Sequence, residues 1–263
     1  MDAQVIILPD PLALAVEAAR RFAGLAVQAA TDQGRFAVAL SGGTTPRMLY
    51  GLLSREPYRG AIPWARVHLF WADERCVPAT DPESNFHLVS EALICRVPIP
   101  AQNVHRVPPE LGAESAAHAY EDLLFTFFGG PPPRFDLVVL GLGGDGHTAS
   151  LFPGSSAAQE TERLAVAVEA DYQGRPAQRV TLTLPAINAA RQVFFLVSGS
   201  AKASIVQAVL EGPEGEFPAQ RVRPTAGQLT WLLDAAAAAH LKSSSLAGTR
   251  SNAFYDPGSG CPF

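Results

Sequence analysis

The chain has 263 residues, of which 48% are hydrophobic, so it is long enough to bury a substantial core in one larger domain or two small ones. Its 25 acidic residues outnumber its 20 lysines and arginines, and the formal net charge of −5 argues against a nucleic-acid partner. No apolar segment approaches a membrane span, and an odd number of cysteines without metal-ligand spacing predicts reduced thiols, no metal site and a cytoplasmic location.

Strand and helix patterns alternate along the chain, which predicts an α/β fold with a mostly parallel sheet. The predicted strands are residues 5–8, 36–40, 67–71, 135–140, 180–184, 193–197 and 229–233. The predicted helices are residues 12–30, 114–128, 201–210 and 234–241, with helical character also at 48–53. Residues 1–242 are predicted to form a single domain, and the turn-rich residues 243–263 a C-terminal extension.

The turn after the second predicted strand combines small and hydroxyl-bearing residues in the pattern of an anion site. Pro46 follows in the first turn of a helix, whose positive end and backbone N–H groups suit a phosphate. The candidate phosphate ligands are Ser41, Gly42, Gly43, Thr44 and Thr45. The Gly-Lys-Ser/Thr of a Walker loop is missing, which argues against nucleoside triphosphates, and a capped helix start without a ligand is the alternative.

The strand at residues 67–71 runs into the charged triplet Asp73, Glu74 and Arg75. An isolated triplet of this kind is usually a solvated loop. Here, however, three apolar strands in succession end in polar turns, and the carboxyl ends of parallel strands lie along one edge of a sheet. We therefore expect the triplet to reach the same site, and a loop and helix capped by Ser84 to cover it.

The segment Gly-Leu-Gly-Gly-Asp-Gly-His at residues 141–147 places an acid and a histidine in a glycine-rich turn after a buried strand. Glycines let backbone N–H groups approach a substrate, so the turn is predicted to form the floor of an active site. The turn also matches G-x-G-x-x-G, but it lies past mid-chain and Phe-Pro-Gly at 152–154 stops a helix, which disfavours a dinucleotide site. A glycine turn without chemistry is the other alternative.

Together these motifs resemble the 6-phosphogluconolactonase family. The matching segments lie between about residue 4 and about residue 241 and comprise residues 41–46, 71–78, 81, 84–86, 141–153, 179–183, 198–202, 218–222 and 231–234. The string Asp-Gly-His-Thr-Ala-Ser-Leu-Phe-Pro at 145–153 is highly specific. The resemblance implies a Rossmann-like fold shared with glucosamine-6-phosphate deaminase and ribose-5-phosphate isomerase, with a smaller α/β subregion, and hydrolysis of a sugar-phosphate lactone without a metal or cofactor.

Glucosamine-6-phosphate deaminase is the nearest enzymatic alternative, since it has a similar Asp-Glu strand end and glycine loop. Its loop continues into an acidic residue before the proline, whereas this chain has Phe152. Its Asp-Glu is followed by an aromatic residue, whereas this chain has Arg75. A sugar-phosphate-binding module without catalysis and a nicotinamide oxidoreductase are the alternatives from other classes.

The resemblance also implies catalytic roles for three candidate residues. His147 would activate water, Asp145 would orient or tune the imidazole, and Arg75 would hold hydroxyls or the oxyanion. If His147 bonded only to its own turn, it would be structural instead.

The remaining candidates would hold the substrate. Lys202 and Arg179 would bind the phosphate together with the turn at 41–45, and a surface position is the alternative for either cation. The residues expected to bind the rest of the sugar are Asp73, Glu74, Asn85, Gly143 and Gly144. We expect a monomer or a weak homo-oligomer.

Overall fold

The computed structural model describes residues 3–242, in which nine strands and eight α-helices occur. The strands are β1 (Gln4–Leu8), β2 (Phe36–Leu40), β3 (Val67–Trp71), β4 (Asp73–Arg75), β5 (Leu137–Leu140), β6 (Ala165–Glu169), β7 (Gln178–Leu182), β8 (Gln192–Val197) and β9 (Gln228–Asp234). The helices are α1 (Pro11–Gln33), α2 (Thr44–Leu53), α3 (Tyr58–Ala61), α4 (Asn85–Ala92), α5 (Ala113–Phe128), α6 (Ser156–Gln159), α7 (Leu184–Asn188) and α8 (Ala203–Glu211). The predicted extension at 243–263 lies outside the described residues. None of the helices within 3–242 has the length and apolarity needed to cross a membrane.

Six parallel strands form the main sheet, in the order β1-β9-β8-β5-β2-β3. Every residue of β2 and β5 is buried, as expected for central strands of a parallel sheet, whose sequences are continuous apolar runs. The Rossmann-like prediction is thereby confirmed. From β2 the sheet grows through β3 in one direction, and from β5 through β8, β9 and β1 in the other. The carboxyl ends of β2 and β5 therefore border the crevice in which such sheets bind ligands.

A second, smaller sheet has the order β4-β7-β6 and is antiparallel. The charged triplet, expected in a turn, forms its strand β4. Ala72 joins the two sheets, because its N–H donates to the Leu40 carbonyl and its own carbonyl accepts from the Leu182 N–H, both at 2.8 Å. Ala72 is thus the single residue between β3 of the main sheet and β4 of the small sheet, and the charged triplet that follows it lies beside the crevice.

Capping residues set the helix ends. The Asp10 carboxylate accepts from the Ala13 N–H at 2.8 Å, and Gly34 ends α1 in the left-handed conformation at φ 75°, so this helix outlasts its predicted end at residue 30. Thr183 caps α7, which explains why residue 184 is helical and does not extend β7.

The predicted helix at 234–241 is wrong. Asp234 is the last residue of β9, and its carboxylate accepts from the Ala237 N–H at 2.7 Å and from the Gly199 N–H at 3.0 Å. The alanine-rich run that follows forms turns, in which the N–H groups of Ala238, Ala239 and Leu241 donate to the carbonyls of Asp234, Ala236 and Ala238. The helix predicted at 201–210 begins at Ala203, after a 3₁₀ turn at Ser200–Lys202.

Two histidines pack into an aromatic cluster beside the edge strand β3. His68 Nδ1 lies 3.1 Å from His105 Nε2, and the His105 ring stacks on Phe70 with centroids 4.5 Å apart. Burial lowers the pKa of His68, and burial together with the neighbouring His68 lowers the pKa of His105 to about 4. The folded state therefore favours a neutral His105.

We expect the pH dependence of stability to reveal this histidine. Between about pH 6.5 and about pH 4, the unfolded chain binds a proton at His105 that the folded chain does not, so the free energy of unfolding decreases as the pH falls through this interval. Urea unfolding should show a shallower decrease for His105→Phe than for the wild type. The exposed His240 supplies the control, since His240→Gln should keep the wild-type dependence. An unchanged dependence in His105→Phe would contradict the assignment.

Candidate active site

A cleft of about 250 Å³ opens at the carboxyl ends of β2 and β5. Residues of the turns after β2, β5 and β8 line it together with residues of β4 and β7. The predicted site residues that line it are Ser41, Gly42, Gly43, Thr44, Thr45, Asp73, Arg75, Asn85, Gly143, His147, Arg179 and Lys202. Residues that are distant in sequence therefore meet in this cleft, because the main sheet and the small sheet lie next to each other there.

Helix α2 directs an uncapped N-terminus at the cleft. Its N-cap residue is Gly43, at φ 103°, and no side chain caps the first turn. The first backbone N–H groups are therefore available to an anion. Thr45 Oγ1 lies 2.8 Å from Ser198 Oγ at the end of β8, which adds hydroxyl groups from a neighbouring strand.

Ser41 has its polar groups engaged within the fold. Its hydroxyl donates to the Val139 carbonyl at 2.7 Å, and its carbonyl accepts from the Tyr50 hydroxyl at 2.7 Å. The side chain therefore fastens the end of β2 to β5, and the anion-binding capacity of the turn lies in its backbone and its threonines.

Asp73 lies buried in the cleft wall with both carboxylate oxygens hydrogen-bonded. Oδ2 accepts from Ser150 Oγ at 2.7 Å, and Oδ1 accepts from Asn85 Nδ2 at 3.1 Å. Asn85 in turn lies against Gly42, where a Cβ would overlap its amide oxygen. A glycine at position 42 is therefore required to bring the turn after β2 against the start of α4.

His147 and Asp145 form a hydrogen-bonded pair. His147 Nδ1 lies 2.6 Å from Asp145 Oδ1, which also accepts from the His147 backbone N–H at 3.2 Å. Because a carboxylate only accepts, Nδ1 carries the hydrogen and Nε2 is the basic nitrogen of the neutral ring. Asp145 does not line the cleft, and its side chain is 38% exposed.

The surroundings of His147 favour its neutral form. The imidazole is 13% exposed and packs against Phe152, with ring centroids 4.4 Å apart. Burial lowers the pKa of His147 and Arg179 acts in the same direction, whereas Asp145 and Asp73 raise it. The net lowering leaves the ring unprotonated at neutral pH, which is the state required of a general base.

Two arginines lie side by side on adjacent strands of the small sheet. Arg75 of β4 and Arg179 of β7 are directly paired in the antiparallel register, and Arg179 is only 2% exposed. Nε of Arg75 and Nη2 of Arg179 are buried without a hydrogen-bond partner, and burial lowers the pKa of Arg179. Like charges in register and unsatisfied buried donors both cost free energy. An anion in the cleft would offset the repulsion between the two charges.

Lys202 lies in the 3₁₀ turn before α8 and supplies a further cation. Its ammonium donates to the Leu142 carbonyl at 2.7 Å, on the loop that carries His147. Burial lowers the pKa of Lys202, and Asp145 opposes this effect. Within residues 3–242, no three His, Cys, Asp or Glu side chains are grouped so that they could hold a metal ion.

Two predicted substrate-binding residues lie outside the cleft lining. Glu74 is 2% exposed, and its carboxylate accepts from the Asn85 N–H at 2.8 Å and the Phe86 N–H at 2.7 Å, so it caps α4 from below the site. Burial raises the pKa of Glu74, and these hydrogen bonds lower it. The backbone N–H of Gly144 donates to the Tyr172 hydroxyl at 3.4 Å. Glu74 thus caps α4, and the substrate contacts of Glu74 and Gly144 stay predictions.

The hairpin turn between β6 and β7 was not predicted from sequence. Tyr172, Gln173 and Arg175 of this turn line the cleft. They match no motif, and their one local signal is Gly174, a turn-forming residue that is not preceded by the Asn or Asp typical of a tight hairpin.

The chain matches the family model described as glucosamine-6-phosphate isomerases/6-phosphogluconolactonase over residues 9–231. A relative from Nostoc sp. named 6-phosphogluconolactonase is 40% identical over 247 residues, which cover 92% of this chain and 99% of the relative. The solved structure of 6-phosphogluconolactonase from Trypanosoma cruzi is 30% identical, with a TM-score of 0.84 and coverage of 92% of this chain and 97% of that one. A monomeric glucosamine-6-phosphate deaminase is 22% identical, with a TM-score of 0.78 over 90% of this chain and 100% of that one, and shares the fold.

Gly143 is a sensitive point of the His147 loop. A Cβ at position 143 would overlap His147 Nδ1 and lie 2.7 Å from Asp145 Oδ1. We expect Gly143→Ala to push the two side chains apart and to lower stability by about 1–3 kcal/mol, as overpacking does. Gly141→Ala is the control, because a Cβ there meets no atom within 4 Å and should cost less than about 1 kcal/mol. Urea unfolding measures both, and equal costs would contradict the crowding argument.

Proposed function

The chain belongs to the glucosamine-6-phosphate isomerase/6-phosphogluconolactonase family, and from this premise we propose that it hydrolyses 6-phospho-D-glucono-1,5-lactone to 6-phospho-D-gluconate, the second step of the oxidative pentose phosphate pathway. The observation that carries the proposal is the Asp145–His147 pair, with 2.6 Å between Oδ1 and Nδ1, beside a cleft lined by buried cationic groups. A phosphorylated lactone needs a base for water and a positive site for its phosphate, and this cleft offers both.

The phosphate would bind at the positive end of α2. The uncapped backbone N–H groups after Gly43, the hydroxyl of Thr45 and the ammonium of Lys202 all border the cleft and suit a dianion. Arg179 also lines the cleft and would add a further positive charge.

Hydrolysis would begin with water activated at His147 Nε2. As the water oxygen bonds to C1, its proton passes to Nε2 and the carbonyl electron pair becomes an oxyanion. Asp145 would stabilise the imidazolium that forms, and the positive charge of Arg75, which lines the cleft, would stabilise the oxyanion. When the carbonyl re-forms, the C1–ring oxygen bond breaks and the imidazolium returns the proton to the departing ring oxygen.

The sugar hydroxyls would lie against Asp73 and Asn85. Both side chains are buried and held by hydrogen bonds, so their positions are set before the substrate enters. A preformed polar wall of this kind orients a flexible sugar with little loss of side-chain entropy.

The deaminase alternative lacks support in the residues around His147. Where the deaminase loop carries an acidic residue before its proline, this chain places Phe152 against the imidazole, with ring centroids 4.4 Å apart. An apolar ring at this position cannot shuttle the proton that ring opening and amine release require.

We also propose a cytoplasmic enzyme that acts as a monomer or weak homo-oligomer, with no nucleic-acid or membrane partner. The acidic net charge and the unpaired thiols of Cys76 and Cys95 support this part of the proposal.

The principal test replaces the proposed base. We expect the wild type to hydrolyse the phosphorylated lactone well above the spontaneous rate, with activity falling on the acid side as His147 becomes protonated. His147→Gln should lower kcat by roughly 10²–10⁴, the usual range for loss of a general base, with little change in binding of 6-phosphogluconate.

Because δ-lactones hydrolyse unaided, an enzyme-free reaction at each pH is the baseline. The exposed His240→Gln is the matched control and should keep wild-type turnover. Near-wild-type turnover in a folded His147→Gln protein would show that the base is elsewhere, whereas a wild type without activity would refute the proposed function itself.

A second test addresses the phosphate site. Lys202→Ala should raise KM strongly for the phosphorylated lactone and much less for unphosphorylated gluconolactone, because the lost charge pairs only with phosphate. The chain has one other lysine, the exposed Lys242, and Lys242→Ala should leave both KM values unchanged. Equal losses on the two substrates in Lys202→Ala would place the ammonium at the reacting carbonyl instead.

A further inference from the structure

The hairpin between β6 and β7 ends in a tight two-residue turn at the cleft. The Arg175 N–H donates to the Tyr172 carbonyl at 3.1 Å, and the two central residues, Gln173 and Gly174, have φ values of 54° and 66°. Two successive left-handed residues are the signature of a type I′ turn, whose twist matches that of the flanking strands. The turn is thus fixed by the hairpin, although a left-handed Gln173 costs local free energy.

This turn contacts the cleft at two points. The edge of the Tyr172 ring meets the His147 ring, with centroids 4.7 Å apart and an interplanar angle of 84°. The Arg175 guanidinium pairs with Glu83 at 3.1 Å, and Glu83 also accepts from Arg75. The hairpin hydrogen bond and the Arg175–Glu83 ion pair therefore hold the turn that carries Tyr172 beside the cleft.

Three side chains restrain the imidazole. Asp145 binds Nδ1, Phe152 packs against the ring with centroids 4.4 Å apart, and Tyr172 meets it nearly at right angles. The Asp145 hydrogen bond fixes one atom but leaves the ring free to tilt about that atom. Contacts with both aromatic rings are needed to define the plane of the ring and hence the direction in which Nε2 points.

We propose that Tyr172 is a positioning residue for His147: its ring fixes the plane of the imidazole and excludes bulk water from one side of it. The proposal rests on the proposed function in that His147 is the base. Tyr172 acts through the imidazole, and its hydroxyl, which accepts from the Gly144 N–H at the long distance of 3.4 Å, contributes little to this role.

The charged groups that influence His147 set the direction of the expected change. Asp145 on the same loop and Asp73 on β4 raise the pKa of His147, whereas burial and Arg179 on β7 lower it. Removing the Tyr172 ring admits water and weakens the effect of burial, while both carboxylates remain. The pKa of His147 should therefore rise, and the acid limb of the activity profile should move to higher pH.

The experiment compares Tyr172→Ala with Tyr172→Phe, which keeps the ring and loses only the hydroxyl. The titration of the His147 imidazole is followed by NMR in the free protein, with His147→Gln used to assign its signals, and kcat and KM are measured across pH. Tyr172→Ala should move the titration midpoint to higher pH and lower kcat by roughly 10-fold to 100-fold, with a smaller change in KM. Tyr172→Phe should match the wild type in both measurements. Tyr172→Leu, which keeps apolar volume, replaces Tyr172→Ala if the latter does not fold and should show a smaller shift in the same direction.

Two results would overturn the proposal. An unchanged His147 titration in a folded Tyr172→Ala protein would show that the ring does not govern the imidazole. A rise in KM with unchanged kcat would make Tyr172 a substrate contact instead. The NMR arm needs no turnover, so a chain that failed to hydrolyse the lactone would refute the proposed function and still leave the effect of Tyr172 on His147 measured.

Discussion

Parallel pairing of β2 with β5 is the constraint on which the site depends. The two strands are neighbours in the sheet, but β3 lies on the far side of β2 and β8 lies on the far side of β5. The turns that follow β2 and β5 therefore lead away from each other and leave a crevice between them. One turn starts α2 and provides backbone donors, and the other carries the Asp145–His147 pair. Ser41 reinforces this pairing through its hydrogen bond to Val139. Any shift of β2 against β5 would therefore separate the anion-binding turn from the base.

The central strands β2, β5 and β8 were predictable because they are buried and their sequences are therefore nearly continuous apolar runs. The functional role of the turns after those strands was predictable because structure alone rarely requires so many glycines and hydroxyl-bearing residues in one turn. The second sheet was harder to predict. Its strand β4 has three residues, all charged, and it is a strand only because β7 pairs with it from more than a hundred positions away. The alanine-rich segment after β9 was wrongly predicted to be a helix, because its composition favours a helix whereas the structure has turns with mixed i to i+3 and i to i+4 hydrogen bonds.

The roles of individual side chains were likewise predictable where they depend on local sequence, and not where they depend on tertiary contacts. Glycine at position 143 could be linked to the loop from sequence, but only the fold reveals the overlap that forbids a Cβ there. Glu74 belongs to a triplet that its position at a strand end places near the site, yet tertiary structure puts its carboxylate under the start of α4. The unpartnered nitrogens of Arg75 and Arg179 depend on the register of two strands, and no sequence pattern encodes them. An acidic chain thus acquires a locally cationic cleft.

The partial exposure of Asp145 bears on what happens between turnovers. Opening a neutral lactone yields a carboxylic acid, which ionises at neutral pH, so each cycle releases one proton that must reach bulk solvent. His147 is 13% exposed, whereas Asp145 is 38% exposed and does not line the cleft. The Asp145 carboxylate therefore reaches solvent outside the cleft, while the imidazole that it holds is largely buried. His147 is already neutral when the product forms, because it has returned the proton of the water to the ring oxygen, so the proton released is that of the product's new carboxyl group and Asp145 keeps the Nδ1 hydrogen in place for the next cycle.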